Sequence, residues 1–257
     1  MEPASPDVLR ELAPTGVLRA AINLGNPVLA RKVPTSGEPI GASVDLAREL
    51  GRRLGVPVKL VMFDAAGKVF EAVMSNTLDV VFLAIDLTRA AEILFTAPYV
   101  TIEGTYIVRD GSSFHAIEDF DRPGVRIAVG KGAAYDLFLT RTLKHAELVR
   151  SDTSSGAVEL FVEVGLDAAA GVRQPLFNYA RTHQGVRVID GRFTTIEQAM
   201  GTPNGRPGAR QYLQLFVEAM KAGGFVAAAL ERSGQHEAGV APLSVLEVRQ
   251  TKSRGNV

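Results

Sequence analysis

Arg89 is the residue of this sequence best placed to bind a charged ligand. It follows the apolar run 80–85, whose composition is typical of a strand buried on both faces, with Asp86 and Thr88 standing between them. Ligands of open α/β sheets bind at the carboxyl ends of the strands. A guanidinium offers paired donors in a fixed fork, which suits a carboxylate. This position predicts that Arg89 contacts a ligand; the alternative is a surface position, which most arginines occupy.

A second candidate anion contact follows the turn Gly130-Lys131-Gly132. This turn joins a predicted strand to a predicted helix, so the backbone amides of Ala133, Ala134 and Tyr135 lie at a helix start, where they can bind an anion. A nucleotide phosphate is disfavoured. The third glycine of a dinucleotide fingerprint is absent, and no Walker lysine-serine pair follows.

Other common chemistries lack their residues. The chain has no cysteine, which excludes disulfides, thiol chemistry and thiolate metal sites. Its four histidines are scattered without metal-ligand spacing, and no Gly-x-Ser-x-Gly elbow is present to anchor a hydrolase triad. We therefore expect no metal and no cofactor.

Length and composition indicate a compact protein with room for two lobes. The chain has 257 residues, of which 46% are hydrophobic and 22% charged, so it can bury a real core. Its formal net charge of zero gives no electrostatic case for nucleic acid or an anionic membrane as a partner. No apolar stretch approaches the roughly 18 residues of a membrane-spanning helix, and residues 1–7 do not read as a signal peptide.

Periodicity predicts two successive units of alternating helices and strands, one before Arg89 and one after it. Before Arg89 it indicates a helix over 43–55 with Ser43 as N-cap and Gly55 as its stop, a strand over 58–62, a helix over 69–74 and a strand over 80–85. After Arg89 it indicates strands at 124–129, 167–172 and 186–189 and helices at 135–143, 156–164, 175–182, 209–221 and 224–233. The residues from 237 onward show no period and are expected to be loose.

Several of these segments resemble the type II periplasmic solute-binding proteins of ABC transporters, in the family 3 branch of polar amino acid receptors. The resemblance is carried by the segments 16–21, 40–47, 78–81, 95–99 and 130–135, together with Arg89. It implies a periplasmic binding protein-like II fold of two Rossmann-like α/β lobes joined by a two-strand hinge. Lobe 1 would comprise residues 1–101 and 196–257, and lobe 2 residues 102–195.

The resemblance also implies a ligand site, and the chain departs from it at several positions. Arg89 matches the arginine that binds the ligand α-carboxylate. Asn26 and Ala66 stand where stacking rings are usual, and Ala84, Ala133 and Ala134 stand where hydroxyls are usual. The acid that binds the α-ammonium aligns near Val172, with Arg173 beside it; Asp167 is the alternative acid.

A ligand ammonium would lack a counter-charge at such a site, which is costly once water is removed. We therefore expect a standard α-amino acid to be a poor ligand. A small carboxylate or another anion fits better, held by Arg89, the amides of Ala133 to Tyr135, and Arg173.

Glu197 raises the alternative of an enzyme. The fold contains a branch resembling cyclohexadienyl dehydratase, in which a glutamate near this position acts as general acid on prephenate-like substrates. A buried glutamate with a raised pKa could protonate a leaving hydroxyl. The plainer interpretation is an interlobe salt bridge or a solvent-exposed side chain, and we expect no catalytic residue unless the dehydratase reading holds.

The sequence thus predicts a monomeric solute-binding protein that captures a small carboxylate in an interlobe cleft by hinge closure, without chemistry. An ABC permease is the expected partner, with no nucleic acid and no membrane insertion. The location would be periplasmic if the protein is exported. A cytoplasmic ligand sensor is the other alternative, because no signal peptide is evident in this chain.

Overall fold

The computed structural model describes residues 3–244. The helices are α1 Pro6–Leu12, α2 Ala42–Leu54, α3 Ala66–Val73, α4 Ala134–Thr142, α5 Ser154–Val164, α6 Arg173–Thr182, α7 Pro207–Ala222 and α8 Phe225–Arg232. The strands are β1 Leu18–Asn23, β2 Arg31–Lys32, β3 Pro39–Ile40, β4 Val58–Phe63, β5 Val80–Ala84, β6 Ile93–Arg109, β7 Arg126–Gly130, β8 Glu147–Ser151, β9 Ala168–Val172, β10 Val186–Val188, β11 Thr194–Pro203 and β12 Gly239–Val240.

Ten strands form one continuous sheet, whose main path runs β4-β1-β5-β11-β6-β9-β7-β8. The pairs β1–β4, β1–β5, β7–β8 and β7–β9 are parallel, and each parallel group is covered by helices in the manner of an α/β fold. The predicted division into two α/β lobes is therefore confirmed.

Two long antiparallel strands, β6 and β11, join the lobes. Their pairing extends from Ile93 opposite Pro203 to Gly104 opposite Thr194. One end of β11 also pairs with β5 of the first lobe, whereas the far end of β6 pairs with β9 of the second. This arrangement is the predicted two-strand hinge. The predicted lobe boundaries, at 101/102 and 195/196, fall inside these strands and stay a prediction.

The helix α2 shows how local sequence sets an element and where its prediction fails. Val44, Ala47, Leu50 and Leu54 are buried along one face, as their spacing predicts, and the helix stops at a left-handed Gly55. The predicted cap at Ser43 is wrong, because the helix begins at Ala42 and its N-cap position is Gly41. The Ser43 hydroxyl instead hydrogen-bonds the Tyr99 hydroxyl at 3.0 Å.

The strand β5 is buried along its whole length, as predicted. Its start is fixed by Asp79, a fully buried carboxylate that pairs with Arg19 at 2.8 Å and Arg206 at 3.0 Å. Asp79 also accepts a hydrogen bond from the Arg19 backbone amide. The segment after Ala84 therefore starts from a fixed position near the centre of the sheet.

Residues 237–244 are more ordered than predicted. Residues Gly239–Val240 pair antiparallel with β6 at Thr101 and Val100, and Ser244 donates to Glu218. The rest of the segment predicted to be loose, 245–257, lies outside the described residues. Among residues 3–244 no single helix is both long and apolar enough to cross a membrane. The helices α7 and α8 meet these two criteria only when taken together, and they are bent by 70° relative to each other.

Candidate functional site

Arg89 lies one short loop beyond the end of β5, at the start of a single 3₁₀ turn over Arg89–Ala91. Its side chain is 1% exposed, so the alternative of a surface arginine is excluded. The guanidinium donates to the Ala84 carbonyl at 2.9 Å and to the Gly132 carbonyl at 2.7 Å. The first acceptor belongs to the first lobe and the second to the turn before α4. Arg89 therefore contacts both sides of the cleft.

No carboxylate among residues 3–244 forms an ion pair with Arg89. Burial lowers the pKa of Arg89 to about 10, and the nearby charge of Asp86 raises it only in part. The group still carries its charge at neutral pH. A buried guanidinium whose partners are neutral carbonyls is incompletely compensated, so the site favours an anion.

A cavity of about 30 Å³ adjoins the Arg89 guanidinium, and we call it the Arg89 cavity. It lies between the loop after β1, the ends of β5 and β9, the starts of α3, α4 and α5, and the hinge strand β11. Its lining consists of Asn23, Gly25, Asn26, Ala66, Leu83, Ala84, Arg89, Ala133, Ala134, Tyr135, Ser154, Val172, Ile196 and Gln198. The structure thus brings together seven of the nine predicted ligand-site residues.

Asn26 carries an unsatisfied acceptor. The residue is 7% exposed, and its Oδ1 atom is buried without a hydrogen-bond partner. Such atoms are rare in folded proteins and cost free energy unless a ligand or water pairs with them. The amide can present either its oxygen or its NH₂ group after a flip. Beside the cationic Arg89, Asn26 therefore offers one neutral polar contact.

The start of α4 differs in detail from the predicted row of three free amides. The Ala133 amide donates to the Gly130 carbonyl at 3.0 Å, so it is already used within the turn. No side chain caps the helix at Ala133, which leaves the Ala134 and Tyr135 amides in the first turn. The Tyr135 hydroxyl donates to Ser154 at 2.9 Å and closes that side of the cavity.

Arg173 and Glu197, the other two predicted site residues, do not line the Arg89 cavity. Arg173 pairs with Glu103 at 2.7 Å and donates to the Gly191 carbonyl. Burial alone would raise the pKa of Glu103, but hydrogen bonds from Arg192 and Arg173 bring it below its ordinary value. Arg173 is thus held beside the hinge by an ion-pair network.

Glu197 is exposed, and its backbone carbonyl accepts from the Ile85 amide at 2.9 Å. The alternative acid Asp167 lies at the start of its strand, where it accepts from the Arg126 amide. It too lies outside the cavity lining.

Gln198 is a cavity residue that sequence reasoning missed. It is 6% exposed and lies beside Ile196 on the face of β11 opposite to Glu197. Successive residues of a strand point to opposite faces, so the apolar Ile196 was the signal that Gln198, and not Glu197, faces inward. Asn23, Gly25 and Ser154 were also missed. Asn23 ends β1, Gly25 lies in the loop after it, and Ser154 begins α5.

A larger cavity of about 340 Å³ adjoins the first, and we call it the apolar cavity. It shares Gly25, Asn26, Tyr135, Ser154 and Val172 with the Arg89 cavity. The remainder of its wall is Leu24, Pro27, Asp64, Thr153, Ser155, Val158, Glu159, Gly171, Pro175, Leu176 and Tyr179. The two cavities form one bipartite cleft between the lobes.

The chain matches the model of the bacterial extracellular solute-binding proteins, family 3, over residues 18–236. It belongs to that family. The predicted family and fold are therefore confirmed, including the type II periplasmic binding protein architecture of its structural neighbours.

Solved structures similar to this family 3 protein include two receptors and one ancestral protein. A point mutant of arginine-bound ArgBP from T. maritima has a TM-score of 0.72 and 20% identity, covering 83% of this chain and 100% of its own. The solute receptor for L-cysteine of Neisseria gonorrhoeae has a TM-score of 0.76 and 20% identity, covering 89% and 93%. The ancestral amino acid-binding protein AncCDT-1, a precursor of cyclohexadienyl dehydratase, has a TM-score of 0.73 and 23% identity, covering 87% and 97%. These similarities establish the fold.

Among sequence relatives, cyclohexadienyl dehydratase of Pseudomonas aeruginosa is 27% identical over 150 residues. The match covers 55% of this chain and 53% of the dehydratase, so the chain spans about half the length of that relative.

Proposed function

We propose that this family 3 protein is a receptor for a small carboxylate, bound at Arg89 in the interlobe cleft, and that its ligand is not a standard α-amino acid. The observation that carries the proposal is the buried Arg89, whose hydrogen-bond partners are two neutral carbonyl oxygens. A carboxylate would supply the missing counter-charge in the geometry that a guanidinium recognises best.

The lining of the Arg89 cavity argues against a ligand ammonium. It contains no aspartate or glutamate. Asp64 and Glu159 line only the apolar cavity, where both are exposed, and Asp64 pairs with Lys68 at 2.8 Å. Asn26 Oδ1 can accept one hydrogen bond but brings no charge. An α-amino acid would therefore bury an ammonium without a counter-ion, which is costly.

Ligand capture would proceed by closure of the lobes. Arg89 and Asn26 stand on the first lobe, whereas Tyr135, Ser154 and Val172 stand on the second. A ligand that touches both sides favours the closed state in proportion to its extra affinity for that state. The hinge strands β6 and β11 supply the flexible connection. We propose that an ABC permease reads the closed form, in keeping with the extracellular character of the family.

The alternative function is that of a dehydratase, because the cyclohexadienyl dehydratase relative is 27% identical to this chain over 150 residues. That reaction class needs a general acid near the reacting group. Glu197, the residue predicted for that role, is exposed and outside the cavity lining. Tyr135 is the titratable neutral group at the cavity, and burial raises its pKa, which makes it a poor acid. These observations favour binding without chemistry.

A thermal-shift panel tests the proposal, since a ligand that binds only the folded state raises the melting temperature by mass action. The panel should hold the common amino acids, small mono- and dicarboxylates, and prephenate. We expect shifts with carboxylates and none with amino acids. A clear shift with an ordinary amino acid would contradict the proposed selectivity, and consumption of prephenate in a turnover assay would overturn the non-enzymatic function.

A further inference from the structure

We infer that the ligand is an amphipathic monocarboxylate, whose carboxylate binds Arg89 and whose apolar body, aliphatic or aromatic, fills the apolar cavity. The inference rests on the proposed function and adds the chemical class of the rest of the ligand.

The sizes of the two cavities indicate which part of the ligand each can hold. The Arg89 cavity, of about 30 Å³, has room for a small polar group the size of roughly two water molecules. The apolar cavity, of about 340 Å³, falls within the range of about 300–1,000 Å³ that is usual for small-molecule sites. Because the two share Asn26, Tyr135 and Val172, a ligand held at Arg89 extends directly into the larger space.

The wall of the apolar cavity favours an apolar ligand group. Leu24, Pro27, Val158, Pro175 and Leu176 supply apolar surface from both lobes. Apolar area removed from water in such a pocket contributes to affinity in proportion to its extent.

The serine and threonine hydroxyls along this wall already have partners within the protein. Thr153 accepts from the Gly156 amide at 3.0 Å, and Ser154 accepts from the Tyr135 hydroxyl at 2.9 Å. A polar ligand body would therefore lose hydrogen bonds to water and gain few in return.

The charges at the edge of the apolar cavity argue against a second carboxylate on the ligand. Asp64 and Glu159 are the charged residues of its lining, and both are acidic. Arg173, which the sequence suggested as a further anion contact, is held by Glu103 outside the cavity lining. A second negative group would therefore meet repulsion and no cation among the lining residues.

Calorimetric titration of the full chain with acetate, butanoate, hexanoate and octanoate tests the inference directly, with phenylacetate and succinate as comparisons. Each buried methylene should tighten binding by about fourfold until the cavity is filled. Phenylacetate should bind more tightly than acetate, and succinate should bind no more tightly than butanoate. Affinity that does not depend on chain length, or preference for succinate, would overturn the inference while leaving the role of Arg89 intact. Absence of binding by every carboxylate would overturn both proposals.

Two valines on α5 provide a matched pair of variants. Val158 lines the apolar cavity and is buried, whereas Val162, one helical turn later, is 45% exposed. Val158→Thr keeps the side-chain shape but adds a hydroxyl to the wall, so hexanoate should bind about fivefold more weakly or worse. Acetate binding should be unchanged, and Val162→Thr should alter neither. Equal losses for acetate and hexanoate in Val158→Thr, with an unchanged melting temperature of the ligand-free protein, would contradict the assignment.

Discussion

Asp86 and Arg141 form an ion pair across the cleft, with 2.7 Å between Asp86 Oδ2 and Arg141 Nη2. Asp86 follows β5 in the first lobe, and Arg141 lies in α4 of the second. The Asp86 side chain is 4% exposed, and the Thr88 amide donates to its other oxygen. The pair joins the lobes beside Arg89 without belonging to the cavity lining, so it stabilises the closed form independently of the ligand.

Removing this pair should favour the open form. In Arg141→Gln the ligand would have to supply the free energy of closure alone, so we expect weaker carboxylate binding and a larger radius of gyration in solution scattering. Arg181→Gln, an exposed change on α6, is the control. An unchanged radius of gyration together with unchanged affinity would show that the pair does not hold the lobes together.

The same pair predicts a loss of stability in acid. Burial alone would raise the pKa of Asp86, but hydrogen bonds from Arg141 and the Thr88 amide lower it below its ordinary value of 3.8. A carboxyl whose folded pKa is depressed stabilises the protein above its unfolded pKa, and this contribution disappears as pH falls through the folded pKa. Wild type should therefore lose more stability than Arg141→Gln below about pH 4. Parallel losses in melting curves of the two proteins would contradict this.

Gly67 and Gly132 allow the lobes to approach closely. A Cβ atom on Gly67 would lie 3.0 Å from the Lys131 carbonyl oxygen and 3.5 Å from Gly132 Cα. Gly67→Ala should penalise closure by roughly 1–3 kcal/mol, which weakens ligand binding, while the ligand-free open form keeps its stability. Gly111→Ala, where a Cβ meets nothing within 4 Å, is the matched control. Binding by Gly67→Ala at wild-type affinity would mean that these segments separate in the bound state.

Asn26 sets the polarity of the site next to Arg89. Asn26→Asp would place a carboxylate at the cavity with little change in shape, which partly neutralises Arg89 and offers a partner to an ammonium. We expect simple carboxylates to bind at least tenfold more weakly and α-amino acids to begin to bind, as followed by the thermal-shift panel. Loss of carboxylate binding without any change in amino acid binding would still agree with the role of Arg89, whereas stronger carboxylate binding would contradict it.

Asp79 should be the most sensitive acidic position for stability. Asp79→Ala leaves Arg19 and Arg206 without their shared partner, at a cost of roughly 3–5 kcal/mol. Asp64→Ala removes an exposed pair with Lys68 and should cost about 0–1 kcal/mol. Chemical denaturation of both variants measures the difference. Similar losses in the two would show that burial of Asp79 does not decide its contribution.

Sequence order predicted most of the Arg89 cavity because parallel strands bring their carboxyl ends to one edge of a sheet. Ala84 ends β5, Asn26 and Arg89 follow strand ends, and Ala133 to Tyr135 begin the helix after β7. Each segment therefore lies at this edge of the sheet whatever its exact register. The predicted role of Glu197 depended on a single residue of register. A shift of one position along a strand reverses the face, and Gln198 shows the consequence.

The partners of charged side chains were beyond sequence reasoning. Arg173 forms an ion pair with Glu103, which lies 70 positions earlier in the chain. The local sequence pattern around either residue does not predict this pair. The apolar cavity was missed for a related reason. Its wall combines the loop after β1 with residues of α5 and α6, which are far apart in the sequence.

The most direct test of the central claim is calorimetric titration of wild type and Arg89→Gln with the carboxylate that gives the largest thermal shift. Loss of the buried charged contact should weaken binding by roughly thirtyfold or more. The melting temperature of the ligand-free variant should not fall, because burying an uncompensated guanidinium is itself costly. Arg48→Ala, an exposed change on α2, should bind as wild type does. Undiminished carboxylate binding by Arg89→Gln would contradict the account.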